Sequence, residues 1–169
     1  MIGDVMSKKL ALVTGVSGGI GGAICRRLCA EGYAVVGTYY KHLESAQALS
    51  DSLAEVELVK VDLTDRSQTI DFISSLQNRA FDAIVNNAGV VHFEDFDQYD
   101  AKLWDLTVEI NLSAILWISQ KLGSSMEPGS AIVNISSTDA FVGSFSTIAY
   151  SATKAALNNL TMSLGNTLG

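Results

Sequence analysis

The sequence predicts a three-layer α/β fold on a doubly wound, parallel β-sheet. Two observations carry that expectation. Short apolar runs alternate with longer helical stretches in the order β-α-β-α-β-α-β-α-β-α. The runs are apolar nearly throughout, as strands covered on both faces require, rather than at every second position. Such alternation implies right-handed crossovers that place helices on both faces of one sheet. Ligands then bind beyond the carboxyl ends of the strands, where the strand order reverses.

Composition sets the outer bounds. The chain has 169 residues, 48% of them apolar and 17% charged, which suits one domain over 1–169 with a normal core. A net charge of −7 argues against a nucleic-acid surface, since the only adjacent basic pairs are Lys8-Lys9 and Arg26-Arg27. Met1 to Lys9 lacks the apolar core of a signal peptide, and Leu10-Ala11-Leu12-Val13 is too short to cross a bilayer. The expected location is the cytoplasm, without membrane contact. Cys25 and Cys29, four apart on a helical stretch, read as reduced packing residues. His42 and His92 sit in no ligand spacing, so no metal is expected.

The first strand, Leu10–Val13, runs into Thr14-Gly15-Val16-Ser17-Gly18-Gly19-Ile20-Gly21 and then a helix over Gly19–Glu31. Glycine allows a sharp turn and close approach of backbone to a pyrophosphate. The helix start adds free N–H groups and the positive end of its dipole. Gly15, Gly19 and Gly21 stand four and two apart, which is not the GxGxxG spacing. A tight strand-to-helix turn alone would also use glycine. The turn resembles that of the short-chain dehydrogenase/reductase family, TGxxxGxG, in full at Thr14, Gly15, Gly19 and Gly21. The resemblance implies a Rossmann-like sheet and a nicotinamide cofactor held by Gly15, Ser17, Gly18, Gly19, Ile20 and Gly21. Gly18 stands where the family often has a basic residue, so one phosphate contact is missing.

The second strand, Ala34–Tyr39, precedes a helix over Leu43–Leu53. An acid near the strand's end would hold the ribose hydroxyls of NAD and repel a 2′-phosphate. Tyr39 takes that place, Tyr40 and Lys41 follow, and no carboxylate comes before Glu44. These residues favour NADP over NAD, while a solvated loop lysine is the plain alternative for Lys41. Val61-Asp62-Leu63 closes the third strand, Val56–Val61, before a helix over Arg66–Asn78. The resemblance brings Asp62 and Leu63 to the adenine; a carboxylate there can equally cap the next helix, around Asp65.

The fourth strand, Ala83–Asn86, ends in Asn86-Asn87-Ala88-Gly89, matching the family's NNAG. Small residues allow a cofactor near the sheet edge, which assigns Asn87, Ala88 and Gly89 to it. A helix over Lys102–Ser124 follows and holds Asn111, a poor helix former in mid-helix. The resemblance gives Asn111 a water linked toward the lysine; an exposed or kink-tolerating Asn is the alternative.

The fifth strand, Ala131–Ile135, follows a turn at Glu127-Pro128-Gly129-Ser130 and ends in Ser136-Ser137. The last helix spans Ala149–Leu168 and carries Tyr150 and Lys154 on one face, four apart. A tyrosine with a pKa near 10 is a poor base at neutral pH, and an adjacent ammonium favours its phenolate. Such a pair can exchange a proton with a carbonyl or alcohol oxygen. Alone it is common by chance. Ser137, thirteen residues before Tyr150, stands at the family's serine position, with Ser136 as its neighbour. The resemblance makes Asn111, Ser137, Tyr150 and Lys154 the catalytic set and brings Tyr150 and Lys154 to the cofactor. It implies hydride transfer between nicotinamide and a carbonyl or alcohol, as in 3-oxoacyl carrier-protein reductases. A non-catalytic nucleotide-binding or interaction module is the competing reading.

Two further expectations follow. Family members continue past this helix with a sixth strand, a Pro-Gly turn, a substrate-covering segment and a seventh strand. Against that pattern the chain is C-terminally incomplete: part of a longer protein, a shortened form with little activity, or one whose fifth-strand edge another chain covers. The last helix has a stripe at Leu157, Leu160, Leu164 and Leu168, and the helix before it Leu112, Ile115, Leu116 and Ile118. In the family these helices form a dimer interface, which implies a homo-oligomer; ordinary core packing is the alternative. Residues 138–148, with Phe141, Val142, Phe145 and Ile148, would line one wall for an apolar part of the substrate.

Overall fold

The computed structural model describes residues 8–93 and 95–169, with backbone alone at Gln98. Most of the reading made on Met1 to Lys9 thus lies outside the described residues. Five strands, β1 (Leu10–Val13), β2 (Ala34–Tyr39), β3 (Val56–Lys60), β4 (Ala83–Asn86) and β5 (Ala131–Asn134), form one parallel sheet ordered β3-β2-β1-β4-β5. The order reverses between β1 and β4, which opens a crevice at their carboxyl ends.

Alternation along the strands builds two cores. Ala11, Val13, Val35 and Val85 face Cys25 of α1 (Gly19–Ala30) and Leu49 of α2 (Leu43–Asp51). Leu12, Val36 and Ile84 face α3 (Arg66–Leu76) and α5 (Ala114–Gly123), through Phe72, Ile73, Ile118 and Leu122. Both faces of the central strands are therefore apolar, which is why they read as continuous runs. Cys25 and Cys29 are free thiols, and burial pushes Cys25 up to about 12. Among the described residues no helix is long and apolar enough to cross a membrane, and no group of three candidate metal ligands occurs.

Three expectations change. The helix predicted over Lys102–Ser124 is two helices, α4 (Ala101–Val108) and α5, joined by a π-helical turn at Glu109–Ser113. Asn111 sits in that turn and is wholly buried, which rules out the exposed alternative. The two leucine stripes divide. Leu157, Ile115 and Ile118 are core, whereas Leu160, Leu164, Leu112 and Leu116 are half-buried and Leu168 is exposed. The cap of α3 is Asp65, whose carboxylate accepts from Ser67 N and Gln68 N, and not Asp62. The remaining differences are shifts of one or two residues at element ends. The last helix, α6 (Ile148–Leu168), starts one residue earlier than expected, and Glu127–Ser130 forms the expected turn with Gly129 at φ +94°.

A cofactor cleft and the residues at its end

The glycine turn is knitted to the ends of three strands. Thr14 Oγ1 accepts from both Asn87 N and Ala88 N at 2.9 Å. Asn87 Nδ2 donates back to the carbonyls of Thr14, 2.8 Å, and Gly15, 3.3 Å. On the other side, Gly15 N donates to Thr38 Oγ1 at 3.1 Å and Val16 N to the Thr38 carbonyl at 2.9 Å. Thr14 and Thr38 are both buried, so these bonds have no water to replace them. Thr38 lay outside the predicted set, and a β-branched residue in a strand carries no signal of such a role.

Two glycines are dictated by this packing. Gly15 has φ +75°, a conformation that L side chains rarely adopt. A Cβ on Gly21 would stand 2.3 Å from the Gly15 carbonyl oxygen and 2.6 Å from Asn87 Nδ2. At Gly19, by contrast, a Cβ would meet nothing within 4 Å, because the residue faces open space at the start of α1. The first N–H groups of α1 lack intrahelical acceptors and point to where an anion binds.

That space is a cleft of about 690 Å³. Gly15, Ser17, Gly18, Gly19, Ile20 and Gly21 line its first side. Tyr39, Tyr40 and Lys41 follow from the end of β2, and Asp62 and Leu63 from the end of β3. Asn87, Ala88 and Gly89 close the far side. The cleft also includes His92, Leu106 and Ile110, which the sequence reading did not assign to the cofactor. Lys41 Nζ lies 5.4 Å from the centre of the Tyr40 ring. Burial works to raise the Asp62 carboxyl, but its hydrogen bonds from Thr64 and Tyr40 prevail and hold it below its ordinary value. The same carboxylate pushes the Tyr40 phenol up. The volume, the glycine cradle, the helix start and the neighbouring lysine fit a dinucleotide with an anionic ribose end.

Tyr150 and Lys154 lie outside the cleft's lining and meet it at Gly89. A Cβ on Gly89 would be 3.8 Å from Lys154 Nζ and 2.9 Å from Asn111 Oδ1. Lys154 is only 4% exposed. Its ammonium donates to the Ile135 carbonyl at 2.6 Å and sits 5.6 Å from the centre of the Tyr150 ring. Burial lowers its pKa from the ordinary lysine value. Asn111 pairs with the backbone of Val90 as a peptide group would. Its Oδ1 accepts from Val90 N and its Nδ2 donates to the Val90 carbonyl, both at 2.9 Å. The amide of Asn111 is thus spent on holding the segment after β4, with Thr153 Oγ1 at 3.3 Å as a third contact.

The two serines divide their tasks. Ser136 Oγ donates to Asn158 Oδ1 of α6 at 2.7 Å. Ser137 caps the short 3₁₀ turn Thr138–Ala140, accepting from Asp139 N at 3.2 Å. Ser137 therefore keeps its hydroxyl proton uncommitted among the described residues, while Ser136 is tied to the helix.

Comparisons with known proteins agree with this architecture. The profile of the short chain dehydrogenase family matches residues 9–169. The chain is 31% identical to the acetoacetyl-CoA reductase of an Acinetobacter species, over 93% of this chain and 67% of that protein. A blue fluorescent protein from a metagenomic library, solved with NADPH, superposes with a TM-score of 0.89 at 32% identity, covering 95% of this chain and 69% of that one. A short chain dehydrogenase from Burkholderia cenocepacia, solved with NADP, gives the same TM-score, 0.89, at 32% identity, again over 95% of this chain and 69% of its own. Sheet order, glycine turn and sequence profile agree, and the chain belongs to the short chain dehydrogenase family.

Proposed function

We propose that this protein is an NADP-using oxidoreductase that interconverts a carbonyl and an alcohol. The reading is carried by one observation: the glycine-lined cleft runs up to Gly89, where the buried Lys154 ammonium stands beside Tyr150. NADPH and NADP in the two structural relatives support the choice of cofactor. Within the cleft, the start of α1 would hold the pyrophosphate, Lys41 the 2′-phosphate, and Asp62 and Leu63 the adenine end. The nicotinamide, when bound, supplies the hydride to a carbonyl carbon or takes it from an alcohol carbon.

The chain's own residues handle the oxygen. Ser137 donates its uncommitted hydroxyl proton to the substrate oxygen and holds it in place. Tyr150 gives its proton to that oxygen as the carbon is reduced, and takes one back from the alcohol in reverse. Lys154, held by the Ile135 carbonyl, stabilises the negative charge left on Tyr150. Asn111 acts at one remove, fixing Val90 and so the position of Gly89.

Two further parts of the reading are a cytoplasmic location and a homo-oligomer formed through α5 and α6. Half-buried Leu112, Leu116, Leu160 and Leu164 with exposed Met162 and Leu168 support that interface. Light scattering that finds only monomer removes the oligomer. The activity is tested by following NADPH oxidation with a panel of ketones and acyl thioesters. Cofactor binding without turnover on any of them defeats the oxidoreductase reading. A lower KM for NADH than for NADPH reverses the choice of cofactor.

A further inference from the structure

The phenylalanines fall into two groups. Phe72 and Phe81 are buried in the core. The other four, Phe93, Phe96, Phe141 and Phe145, are between 74% and 90% exposed. They occupy only two segments, 90–100 after β4 and 138–147 after β5. Those segments leave the carboxyl ends of adjacent strands; the first runs into α4 and the second into α6. Tyr99 Oη ties the first to the start of α6 by accepting from Ala149 N at 3.0 Å, next to Tyr150. The exposed rings therefore stand on the two segments that flank Ser137 and Tyr150: Phe141 and Phe145 lie between these residues in the chain, Phe96 lies three residues before Tyr99, and Val142 at 62% exposure adds to them. A monomer surface seldom groups aromatic side chains this way without a ligand for them.

The two segments carry charge of one sign. No lysine or arginine occurs between Arg79 and Lys102 or between Lys121 and Lys154. Asp95, Asp97 and Asp100 lie exposed on the first segment, and Asp139 is half-buried on the second, where Thr147 Oγ1 donates to it at 3.4 Å. The features that welcome anions, Lys41 and the start of α1, belong to the cofactor cleft. A phosphate-bearing carrier arriving at the mouth would meet carboxylates within one screening length, about 8–10 Å.

We infer that the substrate is an uncharged carbonyl compound with an aryl group, and that this mouth disfavours coenzyme A thioesters. The inference rests on the oxidoreductase reading and names its substrate class. The 31% identity to an acetoacetyl-CoA reductase does not extend to that substrate, because the selection lies in these two segments and not in the shared cleft.

The test uses three ligands with the same β-keto group: ethyl benzoylacetate, ethyl acetoacetate and acetoacetyl-CoA. Calorimetric titration is run with NADP saturating, which keeps the adenine end of coenzyme A out of the cleft. Burial of one ring predicts that ethyl benzoylacetate binds about tenfold or more tighter than ethyl acetoacetate. Acetoacetyl-CoA should bind most weakly and improve as salt rises. The double variant Phe141→Ser, Phe145→Ser should erase the aryl advantage while the Kd for NADP stays unchanged. Acetoacetyl-CoA binding as tightly as ethyl benzoylacetate, an aryl advantage that survives the double variant, or no binding by either ester overturns the inference. Should the binding order hold without any NADPH oxidation, the oxidoreductase reading falls and the selectivity of the mouth stands. Should NADP itself fail to bind, the cofactor reading falls and the two esters alone decide the aryl preference.

Discussion

The glycine-lined cleft and the aromatic segments beside it, the proposed substrate mouth, share one edge of the sheet and are built by opposite means. In the cleft, polar groups of the turn are buried and paired: Thr14, Thr38 and Asn87 tie the ends of β1, β2 and β4 into one rigid unit. In the mouth, large apolar side chains stand in solvent on segments tied to the frame at their ends, by Val90 to Asn111 and Tyr99 to Ala149. The difference teaches where stability and specificity reside. A change in the cleft should be felt in folding, because it leaves buried groups unpaired or overlapping. A change in the mouth should be felt in ligand choice, because nothing in the fold leans on an exposed ring.

Tyr150→Phe is the largest expected effect and belongs to neither side. It should lower turnover about a thousandfold, in the range for loss of a general acid or base, while NADPH binding holds. Turnover retained in this variant removes Tyr150 from the chemistry. Gly21→Ala drives a Cβ into the Gly15 carbonyl and should destabilise by about 1–3 kcal/mol while weakening cofactor binding. Denaturant unfolding and NADPH titration measure both, and an unaffected protein would break the picture of a rigid cleft. Thr14→Val keeps the shape but leaves Asn87 N and Ala88 N without their acceptor. About 1–3 kcal/mol should be lost for each group left unpaired, read from the same unfolding curves.

A smaller effect comes from Lys154. Its folded-state pKa lies below the 10.5 of an unperturbed lysine, so the unfolded chain binds the extra proton between the two values. Stability contributed by this group therefore rises with pH across that window and is flat below it. Unfolding midpoints measured upward toward pH 10.5 should show the rise, and Lys154→Met should remove it. A fall with pH that depends on Lys154 would mean the ammonium is better solvated than its burial implies. Smallest of all, Phe145→Ser should shift stability by no more than about 0.5 kcal/mol. A larger loss would show that the mouth is part of the folding core after all.

Much of this frame was legible in the sequence because its signals are local. The strands could be read from continuous apolar runs, and the turn from glycines whose need arises within eight residues. Lys154 and Tyr150 share a face because one helical turn separates them. Other features left weak traces. Asn111 stood out as a poor helix former, yet neither the π-helical turn nor the pairing with Val90 follows from that. Asp62 could equally meet the adenine or cap the next helix until the backbone geometry gave the cap to Asp65. The sequence reading passed over Phe93 and Phe96, since exposure is a property of neighbours and not of residue type.

By itself the sequence determined the alternating elements, the glycine turn and the placing of Tyr150 and Lys154 on one helical face, all set by periodicity and steric need over short stretches. Tertiary structure decided which partner each polar group found. Lys154 reaches the Ile135 carbonyl across nineteen residues, and Asn111 reaches Val90 across twenty-one. Ser136 spends its proton on Asn158 while Ser137, among the described residues, keeps its own. No period links such positions. They meet only because a parallel sheet brings the carboxyl ends of separate strands to one edge, and burial there obliges each polar group to pair.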